Sequence, residues 1–376
     1  MLERGGTQAV GETAAGDGRR CCGFLPGTVH RMRGCPLAVA LSLLLAAGAA
    51  AQAPPPVRIA GVVYLGDLPT LVAREEGLFR RHGLDAKVEL NDSGRDNLQR
   101  LRAGETDFAL MALTPLVLDA LADPDPGGAD DPVILASLVH STRLNHVVTL
   151  AGRGIATPAD LAGRRVGLAR GTNAEFVWWL FAHFHDLDPG AVELVDLPVA
   201  ALPGALAGGR VDAAVVWEPW TSRLREAHGP ALREFDGSNI YAAKWVLVAP
   251  RRLVAPRRLV ASRPELVRSV LASYQAAIEF IERRPQAALA HFTGLTASVP
   301  PEPAAGGPLV DYQLSLDWSL IATLQEQLRW ARTAGYGPAS TAGVAVPALL
   351  DPAPLRRLQP TAVSLPASLG PEPPRP

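Results

Sequence analysis

The four residues Trp217-Glu218-Pro219-Trp220 put two indoles and a carboxylate in one turn. Trp217 could close on a flat or apolar ligand face, and Glu218 could accept hydrogen bonds from an amine. Either indole could equally plug the core beneath the turn. A second group, Arg170-Gly171-Thr172-Asn173, leads into an apolar run that predicts a helix. The free amides and partial positive charge of a helix N-terminus suit phosphate, sulfonate or carboxylate. Gly171 would let the backbone come close, and Thr172 and Asn173 add side-chain donors; a plain capping turn has the same sequence. Tyr64 offers a ring to stack and a hydroxyl to donate, and Asp67 either binds a cationic group or caps the helix after it. Thr114, before Pro115, can cap a helix and reach a ligand with its hydroxyl. His140-Ser141-Thr142, followed by Asn145-His146, places titratable side chains where they bind an anion or serve as structural hydrogen-bonders.

Other chemistries lack their residues. There is no Gly-x-x-x-x-Gly-Lys-Ser/Thr phosphate loop, no His-Glu-x-x-His zinc motif and no Gly-x-Ser-x-Gly nucleophile elbow. His183 and His185 are a close pair, but two residues apart on a helix they point away from each other. Cysteine occurs only at 21, 22 and 35, which excludes disulfides, thiolate metal sites and a cysteine nucleophile from the rest. No catalytic residue, metal ligand or cofactor is assigned. Lys+Arg is 36 against Asp+Glu 37, and no basic cluster carries interleaved aromatics, so nucleic acid is not expected as a partner. With 48% hydrophobic residues the chain can bury sizeable cores.

The elements that must hold these residues alternate. Strands are expected at 57–63, 86–90, 106–111 and 133–139, with helices at 69–79, 97–103 and 115–122 between them. After an extended stretch at 147–150 the pattern restarts: strands at 165–168, 192–195 and 211–217, helices at 174–184 and 200–207. The two runs echo each other. Arg58-Ile59 matches Arg165-Val166, and Gly104-Glu-Thr-Asp107 matches Gly209-Arg-Val-Asp212. This predicts two α/β units of like topology. A strand near 241–248 follows, then a tandem Val-Ala-Pro-Arg-Arg-Leu at 248–253 and 254–259, read as a surface insertion. Ser262 is expected to cap a long helix whose apolar residues Leu266, Val270, Tyr274 and Ile278 fall four apart. A second helical stretch is expected at 311–333, and a mobile Pro-rich tail at 361–376.

The first 53 residues read as a leader. Arg31 and Arg33 precede an apolar run at 36–51, and Ala51-Gln-Ala53 fits a cleavage site. The run is shorter than the roughly 20 residues of a spanning helix. Translation from Met32 instead of Met1 would give a more ordinary signal. An exported, periplasmic or otherwise extracytoplasmic protein is expected.

Several motifs occur in a characteristic order: Leu71-Val-Ala-Arg-Glu-Glu-Gly-Leu-Phe79 with His82-Gly-Leu-Asp85, then Leu101-Arg-Ala-Gly-Glu-Thr-Asp-Phe108, Ala159-Asp-Leu-Ala-Gly-Arg-Arg-Val166 with Arg170-Gly-Thr172, and Ala207-Gly-Gly-Arg-Val-Asp-Ala213 with Trp217-Glu-Pro219. In these the chain resembles the periplasmic substrate-binding proteins of nitrate/sulfonate/taurine-type ABC importers, a group that includes thiamine-precursor binders. The resemblance implies an α/β type II periplasmic-binding-protein fold, two βαβ lobes joined by a two-segment hinge. Lobe one would be 57–139 plus 245–360 and lobe two 146–242, with crossovers near 140–145 and 240–244. It implies a monomer that holds a small anionic, sulfonate-, nitrate- or pyrimidine-like ligand and delivers it to a membrane permease driven by a separate ATPase. Candidate ligand contacts are Tyr64, Asp67, Thr114, His140, Ser141, Gly171, Thr172, Asn173, Trp217 and Glu218. The cysteine-rich stretch of the thiamine-precursor-synthesising relatives is absent. Alternatives are a cofactor-free enzyme on the same bilobal fold, like the menaquinone-pathway lyases, with His140 or His146 as base, and a periplasmic ligand sensor.

Overall fold

A computed structural model of the chain describes residues 56–123, 127–235, 240–254, 263–300, 309–337 and 344–365. The expected leader lies outside the described residues, as do Ser262 and nearly all of the second hexapeptide.

Parallel strands need crossover helices, and the chain supplies them in order. The first run is β1 (Pro56–Val62), α1 (Leu68–Glu75), α2 (Leu78–Arg81), β2 (Asp85–Asn91), α3 (Gly94–Arg102), β3 (Phe108–Ala112), α4 (Leu113–Ala122) and β4 (Pro132–Ser141). The second is β5 (Asn145–Leu150), β6 (Arg165–Leu168), α5 (Asn173–Phe184), β7 (Glu193–Asp196), α6 (Leu202–Ala207), β8 (Ala213–Trp217), α7 (Trp220–His228) and β9 (Leu232–Phe235). The remainder is β10 (Ala243–Pro250), α8 (Arg251–Val254), α9 (Pro264–Arg283), α10 (Pro285–Thr296), β11 (Asp311–Ser315), α11 (Trp318–Thr333) and α12 (Ala353–Leu358).

Two sheets result, ordered β11-β4-β10-β3-β1-β2 and β7-β6-β8-β5-β9. Both contain the same unit. β2-β1-β3 and β7-β6-β8 are parallel triplets, each flanked by an antiparallel strand, β10 in one and β5 in the other. The central strands β3 and β8 are buried at every residue, as continuous apolar runs covered on both faces must be.

The internal echo has a physical counterpart. The Arg58 guanidinium donates to both oxygens of Asp107 (3.3 and 3.0 Å), and its backbone N–H donates to the same carboxylate (2.9 Å). Arg165 repeats all three bonds on Asp212, at 3.1, 2.9 and 3.0 Å. Each fork ties the start of one parallel strand to the turn before its neighbour, which fixes their register.

Several expectations need correction. The helix at 69–79 breaks at Gly77 into α1 and α2. The stretch at 311–315 is a strand, not a helix: Asp-Tyr-Gln-Leu-Ser alternates, with Leu314 buried, and it pairs with β4. The first hexapeptide is core rather than surface insertion. Val248 and Ala249 are fully buried in β10, where they pair with β4, and Leu253 is buried in α8. Residues 361–365 are held by the backbone of Leu316 at 2.8 and 3.0 Å, so they are no part of a mobile tail; the rest of that segment lies outside the described residues. Strand β4 also runs further than expected and takes in His140 and Ser141, leaving 142–144 between the sheets.

The long helix α9 matches its apolar spacing: Leu266, Val270, Tyr274 and Ile278 are all buried. The Tyr274 hydroxyl lies 3.0 Å from the Thr70 hydroxyl on α1.

Candidate functional site

A narrow pocket, partly open to solvent, lies where the carboxyl ends of parallel strands from both sheets meet. This is where open α/β sheets leave room for ligands. One side is formed by Val62 at the end of β1, Tyr64 just beyond it, and Ala112 and Pro115 around the β3–α4 junction. Ser93 and Gly94 add the N-terminus of α3. The other sheet contributes Thr172 and Asn173 at the start of α5 and Trp217 at the end of β8. Trp245, from β10, completes the lining.

Local sequence explains these placements. Tyr64 folds its ring back over Gly66, where any Cβ would collide with it, and the ring meets Trp245 at 4.7 Å between centroids, tilted by 56°. Burial pushes the Tyr64 hydroxyl well above its usual pKa, so it stays protonated. Ser93 caps α3 by accepting the Asp96 N–H at 3.2 Å, and its hydroxyl donates to the Asp96 carboxylate at 2.8 Å. Thr172 caps α5 in the same way, accepting from the Ala174 N–H at 3.2 Å while its hydroxyl donates to the Ala169 carbonyl at 2.7 Å. The Asn173 side-chain amide donates to Oδ1 of the Asn145 side chain at 2.7 Å.

Of the sequence candidates, Tyr64, Thr172, Asn173 and Trp217 come together on this lining. The others point elsewhere. Gly171 adopts φ +70°, and its N–H donates to Glu175 Oε2 at 2.9 Å. Asp67 does not cap α1 with its side chain. Its carboxylate accepts the Val62 N–H at 2.7 Å and the Thr70 hydroxyl at 2.6 Å, 2% exposed. Burial raises its pKa to about 7, against the lowering effect of those bonds. The nearby Trp245 indole N–H also lowers it, without the alignment of a formed hydrogen bond. Thr114 sits inside α4 rather than at its cap, and its hydroxyl donates to Gln327 Oε1 at 2.9 Å.

His140 and Ser141 lie within β4. His140 Nδ1 is 3.0 Å from the buried Lys244 ammonium, and burial together with that cation lowers the imidazole pKa. The Ser141 hydroxyl donates to the Leu309 carbonyl at 2.7 Å. Glu218 is fully buried; it accepts from Arg225 at 2.9 Å and from the Ser222 N–H at 3.1 Å. Arg225 continues to Glu234, which lies 3.2 Å from His146. Trp220 carries the Arg223 guanidinium over its ring at 4.6 Å.

Sequence reasoning missed Ser93, Gly94 and Trp245. The Ser93-Gly-Arg-Asp96 spacing is a readable capping signature. Trp245 reaches the pocket through pairing with Ala112, a long-range contact that no local pattern carries.

Two further hydrogen bonds join residues distant in the chain. Arg95 on α3 donates to the Arg170 carbonyl at 2.6 Å, and the Tyr336 hydroxyl, just after α11, donates to Glu175 Oε1 at 2.7 Å. Among the described residues no cluster of His, Cys, Asp and Glu could hold a metal ion, and no helix is long and apolar enough to cross a membrane.

A family model described as NMT1/THI5 like matches residues 67–288. A Brucella abortus protein named only as a binding protein is 27% identical over 251 residues, 66% of this chain and 74% of that one. The taurine-binding periplasmic protein of Escherichia coli is 24% identical over 159 residues, 42% of this chain and 47% of that one. Among solved structures, the alkanesulfonate-binding protein SsuA of Xanthomonas axonopodis pv. citri, bound to MOPS, superposes with a TM-score of 0.66 at 19% identity, over 79% of this chain and 98% of its own. The desulfurization enzyme DSZB superposes at 0.56 and 17% identity, over 81% and 99%. These likenesses establish a periplasmic-binding-protein fold.

Proposed function

The chain belongs to the NMT1/THI5-like family, and from that premise we propose that it is the extracytoplasmic solute-binding component of an ABC importer. Residues 57–139 plus 245–360 form one lobe and 146–242 the other, joined by two crossovers. A leader at 1–53 exports the monomer, which captures a solute of sulfonate, nitrate or pyrimidine size and presents it to a permease driven by a separate ATPase. The observation that carries this reading is the position of the pocket. Its walls come from strand ends of both sheets, so one small molecule touches both halves at once. A ligand that contacts both halves only when they are shut converts occupancy into a shape that a partner can read.

The solved enzyme with this fold raises a second reading, catalysis. Among the described residues on the lining there is no histidine, and Tyr64, its titratable group, is held protonated. His140 and His146, the bases an enzyme would need, are engaged with Lys244 and with Arg143 and Glu234.

Thermal-shift screening against sulfonates, nitrate, pyrimidines and aromatic acids, with product analysis on every hit, separates the readings. Stabilisation without turnover, with compaction in X-ray scattering, is expected. Conversion of a bound solute would end the binding reading. A sensor would bind equally well but would fail to stimulate the reconstituted permease and ATPase.

A further inference from the structure

We propose that Arg95 and Arg223 are positioning residues for solute capture: each half of the molecule sends one arginine to a backbone carbonyl of the other, and this reciprocal latch gives the closed form a standing population before a solute arrives. The proposal rests on the two-lobe binding reading above. Arg95 lies on α3, between β2 and β3 of the first sheet, and its Nη1 donates at 2.6 Å to the carbonyl of Arg170, in the turn between β6 and α5 of the second. Arg223 lies on α7, after β8 of the second sheet, and its Nη2 donates at 2.9 Å to the carbonyl of Thr296, the last residue of α10. Helix α10 packs on α1 and so belongs to the first half.

Both bonds have the chemistry of a latch. A guanidinium offers five N–H donors in a rigid fork, and a backbone carbonyl is fixed by the chain that carries it. The Thr296 carbonyl ends a helix, so it has no partner within α10, and a cation is favoured at that negative helix end. Neither arginine is on the pocket lining, so each acts through its neighbours. Arg95 follows Gly94, Arg170 stands two residues before Thr172, and α7 begins three residues after Trp217; Gly94, Thr172 and Trp217 are on the lining. Closing the latch therefore fixes the spacing of the two walls.

Each arginine has a companion between the halves. On α7, Glu226 Oε1 accepts the Ser298 hydroxyl at 3.2 Å and the Val299 N–H at 3.4 Å, just past the end of α10. On α5, Glu175 accepts the hydroxyl of Tyr336, which follows α11, a helix packed on α4 of the first half. Groups of this kind regain water when the halves part, so each bond has a small net worth, as a latch that must also open requires. The apolar contact between the halves is placed differently. Phe176 of α5 meets Trp330 of α11 at 5.2 Å between centroids and Tyr241 at 5.6 Å. Tyr241 belongs to a crossover, where a rotation of one half moves atoms least, so this cluster serves as a pivot.

The test is double electron–electron resonance on the exported chain with no solute added. That chain has no cysteine of its own, so Lys87→Cys and Glu193→Cys, both exposed and on the outer strands β2 and β7 of the two sheets, put one spin label on each half. Wild type is expected to show a short distance, that of the structure described above, together with a longer one. Arg95→Ala and Arg223→Ala should each raise the long-to-short ratio about tenfold, the order of one net hydrogen bond from a charged donor. Circular dichroism checks that each variant is folded; if one is not, the other carries the same test, since the latch is reciprocal. A residue that merely stabilised the fold would lower the melting temperature and leave the ratio alone. Wild type without the short distance, or folded variants with the wild-type ratio, would each overturn the assignment. Failure of the binding reading is seen separately, as turnover or as silence across the thermal-shift panel, because the distances are read without a solute.

Discussion

Replacing Asp67 by asparagine removes one proton-binding group from beneath the pocket and leaves its shape in place. The carboxyl is 2% exposed, and burial lifts its pKa from 3.8 to about 7. The folded state therefore binds this proton more tightly than the unfolded chain does. A group with a raised folded pKa contributes stability that is complete below 3.8 and is lost as pH rises through about 7. At about 1.4 kcal/mol per pKa unit, the full contribution is of order 4 kcal/mol. In asparagine the side-chain carbonyl keeps the Val62 N–H, and the Thr70 hydroxyl can turn to accept from the new NH₂ while it donates to Tyr274, 3.0 Å away. Denaturant unfolding of both proteins at half-unit steps from pH 4 to pH 8.5 measures the difference. Wild type should lose several kcal/mol relative to Asp67→Asn across that range, with most of the fall between pH 4 and 7. A difference that stays constant with pH, or that grows in favour of wild type as pH rises, would refute the reasoning.

Trp217→Ala should cost about 3–5 kcal/mol, because the indole is 4% exposed, and should also weaken solute binding; calorimetry showing intact affinity would make it a core residue alone. Gly171→Val forces a β-branched residue to φ +70° and sets its Cβ 3.2 Å from Arg95 Cδ, so a loss of about 2 kcal/mol is expected in chemical denaturation. Ser93→Ala removes the α3 cap and should cost about 1 kcal/mol in the same assay.

The parallel units were legible because their physics is local. Apolar runs at 108–112 and 213–217 are what doubly covered strands require, and the Arg-Asp echo proved to be one fork built twice. The site was half legible. Turns at strand ends can be located from sequence, and Tyr64, Thr172, Asn173 and Trp217 lie together on the lining of the candidate pocket. Which partner each polar side chain prefers is decided by residues distant in the chain: Gln327 for Thr114, Arg225 for Glu218, Lys244 for His140. The same holds for 311–315, whose pairing with β4 is settled by an edge that no helix period reveals.

The duplicated topology makes the differences between halves informative. Equivalent strands β3 and β8 end in Ala112 and Trp217, so one half leaves room where the other raises a wall. The helix after Ala112 opens with no acid and no cap, whereas α5 opens on Glu175. Of the rings on the lining, Tyr64 and Trp245 come from the side of the first sheet and Trp217 from the side of the second, which also brings the Asn173 side chain. A flat solute therefore meets unlike walls, and it should bind in one preferred orientation, because the walls, if mirrored, would accept either.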